Sequence, residues 1–477
     1  MIIDQDLVYV DHEVLTLPDG WRMTTLADLI TEEGLFCDGD WVESKDQDPN
    51  GDVRLIQLAD IGVGSYRDRS DRYLTSERAS ALSCSFLKRG DILIARMPDP
   101  LGRACIFPGD KRRAVTVVDV AIVRPNNPEV SNRWLMHRVN SIAFRNAVAS
   151  LQSGSTRLRI SRKNLARIAF PLPPLIQQLS ALEEIETQFS RLDEAVANLQ
   201  RVKANLKRYK ASVLKSAVEG RLVETEASIA QREGRSYETG EQLLKRILEE
   251  RRVKWTGRGK YKPPVKPSAD GHGVLPEGWT IATADQLTYL ITSGSRGWGD
   301  FYSDAGILFI RAQDIKTDAL NLHDAARVDV PVDAEGTRSS VTAGDILVTI
   351  TGANVTKSAL VPELDELAFV SQHVALMKLT QPETAPFVFN WIVSPSNGRK
   401  TLESWAYGAG KPGLSLEQVR SLPIAFPPLA EQTRIAAEVD RHLSIIREVE
   451  AEISVNLNRA QAIRQATLKS CFQRKGS

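Results

Sequence analysis

Parts of this chain repeat at a fixed distance, and that constrains its fold more than any other feature. Gly90-Asp91-Ile92-Leu93 returns as Gly344-Asp345-Ile346-Leu347, and Ala59-Asp60-Ile61 returns as Gln313-Asp314-Ile315. Pro173-Pro174-Leu175-Ile176-Gln177-Gln178 returns as Pro427-Pro428-Leu429-Ala430-Glu431-Gln432, and all three pairs lie 254 residues apart. A constant offset through three motifs marks one long internal duplication, with a period far beyond that of a solenoid. Two copies of one domain are expected, and with them two copies of one kind of binding site.

The 477 residues allow three or four ordinary domains, and 42% hydrophobic content is enough to give each a core. Lys plus Arg total 61 against 60 Asp plus Glu, so any basic surface must be local. Cys37, Cys84, Cys105 and Cys471 lie far apart, without metal-ligand spacing, which fits a reducing, cytoplasmic setting. The first residues have no basic and apolar leader pattern, and no run of about 18 apolar residues occurs. Secretion and membrane insertion are not expected.

The copies open alike, at Leu17-Pro18-Asp19-Gly20-Trp21 and at Leu275-Pro276-Glu277-Gly278-Trp279. Short β-branched runs between turn residues follow, at Val53 to Leu58, Ile92 to Ala95 and Val115 to Val123, then at Ile307 to Ile310, Ile346 to Ile350 and Val374 to Leu379. After each Pro-Pro pair the period changes. Leu182, Ile185, Phe189, Leu192, Val196, Leu199, Val202, Leu206, Tyr209 and Val213 recur in steps of three and four, as do Ile435, Val439, Leu443, Ile446, Val449, Ile453, Leu457, Ala460 and Ile463. A stripe held for four or five heptads predicts a coiled-coil seam.

The expected fold class is α+β: two tandem-duplicated strand-rich α/β domains separated by an antiparallel pair of long coiled-coil helices, a pseudo-twofold dumb-bell. At ~1.5 Å per residue each helix would make a rod of about 60 Å. The expected boundaries are 1–170 for the first domain, 171–222 for the first helix, 223–274 for a linker, 275–425 for the second domain and 426–477 for the second helix. The linker holds an amphipathic helix over Thr239 to Trp255, then a basic, proline-rich run from Arg258 to Pro267. That run reads either as a solvated connector or as a docking segment for a partner or nucleic acid.

Catalytic motifs are absent. An adenine methyltransferase needs a cofactor glycine loop and a polar residue before Pro-Pro-aromatic, but these Pro-Pro pairs follow Leu172 and Phe426 and lead into helices. Asp60-Ile61-Gly62-Val63-Gly64-Ser65 has no glycine-bearing counterpart and reads as a tight turn. His12, His137, His272, His323, His373 and His442 form no metal-binding spacing, and no Gly-x-Ser-x-Gly elbow occurs.

What remains is a set of loops at matching positions. Gln152 to Ser161 corresponds to Ala406 to Ser415; its Ser153, Ser155, Arg157 and Arg159, with Lys411 in the second copy, suit phosphate contacts, though an ordinary Gly-rich turn explains the same pattern. Arg67, Arg69, Arg72 and Tyr73 crowd one divergent segment; Ser293, Ser295, Arg296 and Trp298 crowd its partner. Arginine reads guanine edges bidentately, and aromatics stack or wedge against bases. Arg311 and Gln313 end a strand, where Gln reads adenine, and Arg96 completes the candidates for DNA contact.

This order of motifs, met twice, resembles the specificity subunit of type I restriction-modification systems across essentially the whole chain. Its carriers are Leu275 to Trp279, the two Gly-Asp-Ile-Leu motifs, Phe309 to Ile315, Thr351 to Val355, Ile424 to Gln432 and Leu243 to Arg252. The resemblance implies a non-enzymatic subunit whose two target-recognition domains each read part of a split double-stranded DNA sequence, the coiled coil acting as a ruler. It implies as partners two modification subunits carrying S-adenosylmethionine and restriction subunits using ATP and Mg, with no cofactor in this chain. Gln177-Gln178 in place of Glu-Gln, and Ser153 to Arg157 in place of the second copy's Gly408 to Pro412, depart from the pattern. The competing readings are a complete DNA-modifying enzyme, against which the missing motifs count, and a coiled-coil adaptor whose two globular heads bind protein.

Overall fold

The structure is a computed structural model that describes residues 7–10, 17–253, 255, 260–268, 274–294, 296–330, 337–408, 410 and 412–473. It divides into two compact units, Met1–Gln200 with Ser454–Ser477, and Arg201–Ile453, so both unit boundaries fall within the long helices.

The duplication is visible strand by strand. In the first unit Leu35–Asp38, Val120–Arg124, Ile92–Ala95 and Ala104–Ile106 form an antiparallel sheet in that spatial order. Thr288–Ser293, Val374–Leu379, Ile346–Thr349 and Ser358–Leu360 repeat the order in the second. A second sheet pairs Val53–Ile56 in parallel with Arg113–Thr116, as Ile307–Ile310 pairs with Ala368–Val370. There the copies diverge: among the described residues the second has five strands, the first three. Val115 to Val123, expected as one strand, is two strands in different sheets, because the chain turns at 117–119 and Val120 N–H donates to Val117 O at 3.0 Å.

The repeated Gly-Asp-Ile-Leu motif ties neighbouring strands of each four-stranded sheet together. Asp91 is buried, accepts from Lys88 N–H at 2.7 Å and pairs with Arg124 at 2.5 Å. Asp345, equally buried, accepts from Thr342 N–H at 2.8 Å and pairs with Lys378 at 2.5 Å. Arg124 and Lys378 occupy the same place in the repeat, so each buried carboxylate meets a cation from the neighbouring strand and its desolvation is offset.

Both Pro-Pro motifs end a strand and start a long helix, Leu175–Val218 and Leu429–Gln473. Pro174 O and Pro428 O accept the first helical bonds, from Gln178 and Gln432 N–H at 3.1 and 3.0 Å. The Gln side chains close the turn by donating to Pro173 O and Pro427 O at 2.9 and 2.8 Å. Within each unit the two helices run antiparallel. In the first, Arg464 lies over the Phe189 ring and pairs with Asp193, while Ile185 shares a core with Leu468, Cys471 and Phe472. In the second, Tyr209 Oη meets His442 Nδ1 at 2.9 Å, while Val213 and Ala217 share a core with Val439 and Ile435.

The linker helix, expected at Thr239 to Trp255, spans Gly240–Val253, and a further helix occupies Glu226–Glu233. Leu243, Leu244 and Ile247 are buried against Trp279 and Phe387 of the second domain, contributing roughly 1.5–3 kcal/mol each. The described part of the proline-rich run is tied to that domain too, by Val265 N–H to Asp285 at 2.9 Å and Thr283 Oγ1 to Val265 O at 2.6 Å. Arg258 lies outside the described residues, among which no helix is long and apolar enough to cross a membrane.

Candidate nucleic-acid interface

The loop read as a Gly-rich turn is a hairpin in both copies. Ser153 and Arg159 exchange backbone hydrogen bonds at 2.8 and 2.9 Å, and their counterparts Tyr407 and Gly413 do so at 3.1 and 2.9 Å. Gly154 and Gly408 turn the chain at φ +96° and +98°. A Cβ on Gly154 would lie 2.4 Å from Arg157 O, so this tip admits only glycine. The hairpin base is sewn to the Gly-Asp-Ile-Leu strand: Ile160 N–H donates to Arg96 O at 3.1 Å and Leu414 N–H to Ile350 O at 2.8 Å.

In the first copy this sets Arg157 and Arg159 at the mouth of a cleft of about 540 Å³, with Arg96, Gln57, Trp41, Glu43, Asp40 and Asp119 among its walls. Arg157 and Arg159 are exposed, and among the described residues neither guanidinium has a hydrogen bond or ion pair. Ser153 and Ser155 are exposed on the same hairpin. Arg96, expected to contact DNA, is occupied: it donates to Ile160 O and Val118 O at 2.9 Å and pairs with Asp38 at 2.6 Å. Its bond to Ile160 O ties the hairpin base to the end of the Ile92–Ala95 strand.

A second recurring device shapes the other wall. Asp60, fully buried, accepts from the N–H groups of Gln57, Arg69 and Ser70 at 2.8, 2.6 and 2.7 Å, and Arg67 N–H donates to Asp60 O at 2.8 Å. The loop bearing Arg67 and Arg69 is thus wound around one carboxylate while both side chains stay exposed. Arg72 is exposed as well, and Tyr73 is a half-buried strand residue with Arg112 4.6 Å over one face of its ring.

Asp314 repeats the device in the second copy. It accepts from Arg311 N–H at 2.8 Å, and Asn321 N–H donates to Asp314 O at 2.9 Å, the place of Arg67 in the repeat. The Arg311 side chain, expected to read guanine, is held by Asp314 at 3.1 and 3.2 Å and by Asp324 O at 3.0 Å. Gln313 is exposed, and its amide oxygen turns to accept from the Arg311 guanidinium at 3.0 and 3.2 Å, which leaves its amide nitrogen as a donor. Trp298, expected to stack on bases, is buried against Phe309 and Phe369 with ring centroids 5.5 and 5.4 Å away. Ser293 is half-buried at a strand end and Arg296 is exposed; Ser295 and Lys411 lie outside the described residues.

The structure thus gathers Arg96, Arg157 and Arg159 at one cleft and leaves Arg67, Arg69 and Arg72 outside its lining. The sequence reading missed Gln57 and Trp41. Gln57 stands 254 residues before Arg311, a correspondence visible in the sequence, and Trp41 is a lone aromatic in the polar run Asp38 to Ser44.

No protein-family profile matches the chain. Among curated proteins it is 24% identical over 367 residues to the type I restriction enzyme EcoBI specificity subunit of Escherichia coli, covering 74% of this chain and 68% of that one. To the EcoKI specificity subunit of Escherichia coli strain K12 it is 21% identical over 360 residues, covering 74% and 67%. A solved chain from a study of complex assembly and conformational transition of the type I R-M system superimposes with a TM-score of 0.58 at 16% identity, covering 97% of this chain and all of that one, and so shares its fold. In sequence the chain is similar to the specificity subunits of type I restriction enzymes, and in fold to a chain of a type I R-M system, as its repeated motifs indicated.

Proposed function

We propose that this chain is the non-catalytic DNA-recognition subunit of a type I restriction-modification complex, each strand-rich domain reading one half of a bipartite double-stranded site. The observation that carries this reading is a single scaffold built twice with different side chains on it. The same hairpin, strand end and buried aspartate recur 254 residues apart, while Gln57, Arg67 and Ser153 in one copy correspond to Arg311, Asn321 and Tyr407 in the other. A fixed frame carrying exchanged side chains is what reading two different half-sites requires.

The antiparallel helices act as the ruler between half-sites and as the dock for two modification subunits. Exposed apolar side chains support docking: Ile176 and Leu179 on the first helix and Ile445 and Val455 on the second, while Val202, Tyr209 and Ile463, expected in the seam, are exposed too. S-adenosylmethionine belongs to those modification subunits, and ATP and Mg to restriction subunits joining the same cytoplasmic complex. The test is co-expression with the modification subunit encoded beside this chain, followed by single-molecule mapping of N6-methyladenine. A split motif that vanishes when this gene is deleted is the expected result. A stable complex without any motif would favour the adaptor with protein-binding heads.

A further inference from the structure

We propose that Trp41 is a base-contacting aromatic of the first recognition domain, packing from the rim of the Arg157 and Arg159 cleft against a thymine methyl or an unstacked pyrimidine–purine step. The inference rests on the DNA-recognition reading and adds to it a residue and a chemical class of ligand.

Exposure is the first ground. Trp134, Trp279, Trp298 and Trp391 are buried, whereas Trp41 is 71% exposed, more than any other tryptophan or tyrosine among the described residues. Trp41 thus presents most of its indole to solvent at the rim of a cleft that Arg157 and Arg159 also line.

Rigidity is the second. Asp40 N–H donates to Thr116 O at 2.7 Å, and the Asp40 carboxylate accepts from Ser85 N–H at 3.0 and 3.1 Å. Two residues after Trp41, Glu43 N–H donates to Asp46, which is held in turn by Arg78 at 2.5 Å. The indole N–H itself donates to Glu43 Oε1 at 3.3 Å. Trp41 therefore projects from backbone pinned on both sides, so little conformational freedom is left to lose on binding.

The cleft chemistry is the third. This cleft is lined by both signs of charge, Arg157 and Arg159 with Asp40, Glu43 and Asp119. Arginines suit guanine O6 and N7 or the flanking phosphates, and carboxylates suit the cytosine amino group. An aromatic beside both serves a base pair seen edge-on, with the apolar thymine methyl or an opened step as its own share.

The experiment uses the full chain co-expressed with its modification subunit and duplexes carrying the motif from the methylation map. Binding is followed by fluorescence anisotropy for wild type, Trp41→Ala and Trp41→Phe, and base substitutions are placed in each half-site in turn. Trp41→Ala should weaken target binding by about 5- to 100-fold and flatten discrimination in one half-site only, while Trp41→Phe stays within about 5-fold of wild type. Unchanged affinity and discrimination in an otherwise selective complex would overturn this inference alone. A loss of subunit assembly, with unchanged DNA affinity in the assembled fraction, would also overturn it by making Trp41 a protein contact. A wild-type complex without sequence selectivity would overturn the recognition reading itself.

Discussion

The indole N–H of Trp279 donates to Glu431 Oε1 at 2.9 Å, and the same bond 254 to 258 residues earlier joins Trp21 to Gln177 at 2.8 Å. The exchange of Glu for Gln has a local cause. In the second copy the helix Glu226–Glu233 covers the site, and Glu226 N–H donates to Glu431 Oε2 at 2.8 Å, so two buried donors need two acceptor oxygens. Gln177 accepts only the indole bond on an open surface. Burial raises the Glu431 pKa above the usual carboxylate value, and the acceptor bonds and Arg434 counter this only in part.

Glu431→Gln leaves one oxygen for two buried donors. It should destabilise the protein by about 1–3 kcal/mol, the cost of an unsatisfied buried group, whereas Gln177→Glu should shift stability by less than about 0.5 kcal/mol. Urea unfolding midpoints of the two variants against wild type decide this. Equal effects would mean that the covering helix does not set the choice of residue.

Arg157→Ala should weaken binding to all sequences alike and lower the salt slope by about one unit, as loss of one phosphate contact does. Arg296→Ala and Gln313→Ala should instead relax discrimination in a single half-site. Anisotropy titrations at several salt concentrations on matched and mismatched duplexes separate the two patterns. A changed sequence preference in Arg157→Ala would place that side chain on a base.

Removing one heptad from both long helices shortens each by about 10 Å, or roughly three base pairs of duplex. Methylation mapping should then find the same half-sites at an altered gap. An unchanged gap would mean that the helices do not act as the ruler.

His137 is buried beside the Phe189 ring, and burial, with Arg133 and Arg464 adding to it, pushes its pKa down to about 4. The unfolded chain thus takes up the proton first, so stability is full above pH ~6.5 and falls as pH drops towards 4, by about 2 kcal/mol at pH 5. His137→Gln should remove that slope between pH 7 and 5, read from urea midpoints. A slope unchanged by the substitution would assign the acid sensitivity to other groups.

The duplication, the strand positions and the two long helices were legible in the sequence because they rest on periodicity and on motifs that stay local to the chain. The turn at 117–119 was not, since Val115 to Val123 reads as one apolar run and only pairing with two different sheets divides it. The site was legible as a set of loops and much less so as individual residues. Arg157 and Arg159 are exposed as expected, but Arg96 and Arg311 have equally polar neighbours in sequence and are held by Asp38 and Asp314 in space.

Two tryptophans mark the division most clearly. Trp41 and Trp298 each lie in a short loop among glycine and polar residues, and nothing local distinguishes them. The sequence by itself determined that two copies of one domain exist, which segments are strands or long helices, and where the variable loops begin. Only the tertiary structure decided that Trp298 meets Phe309 and Phe369 and is buried, while Trp41 stays largely in solvent. The physical reason is that burial depends on what residues distant in the chain bring to the same place, and periodicity does not encode that.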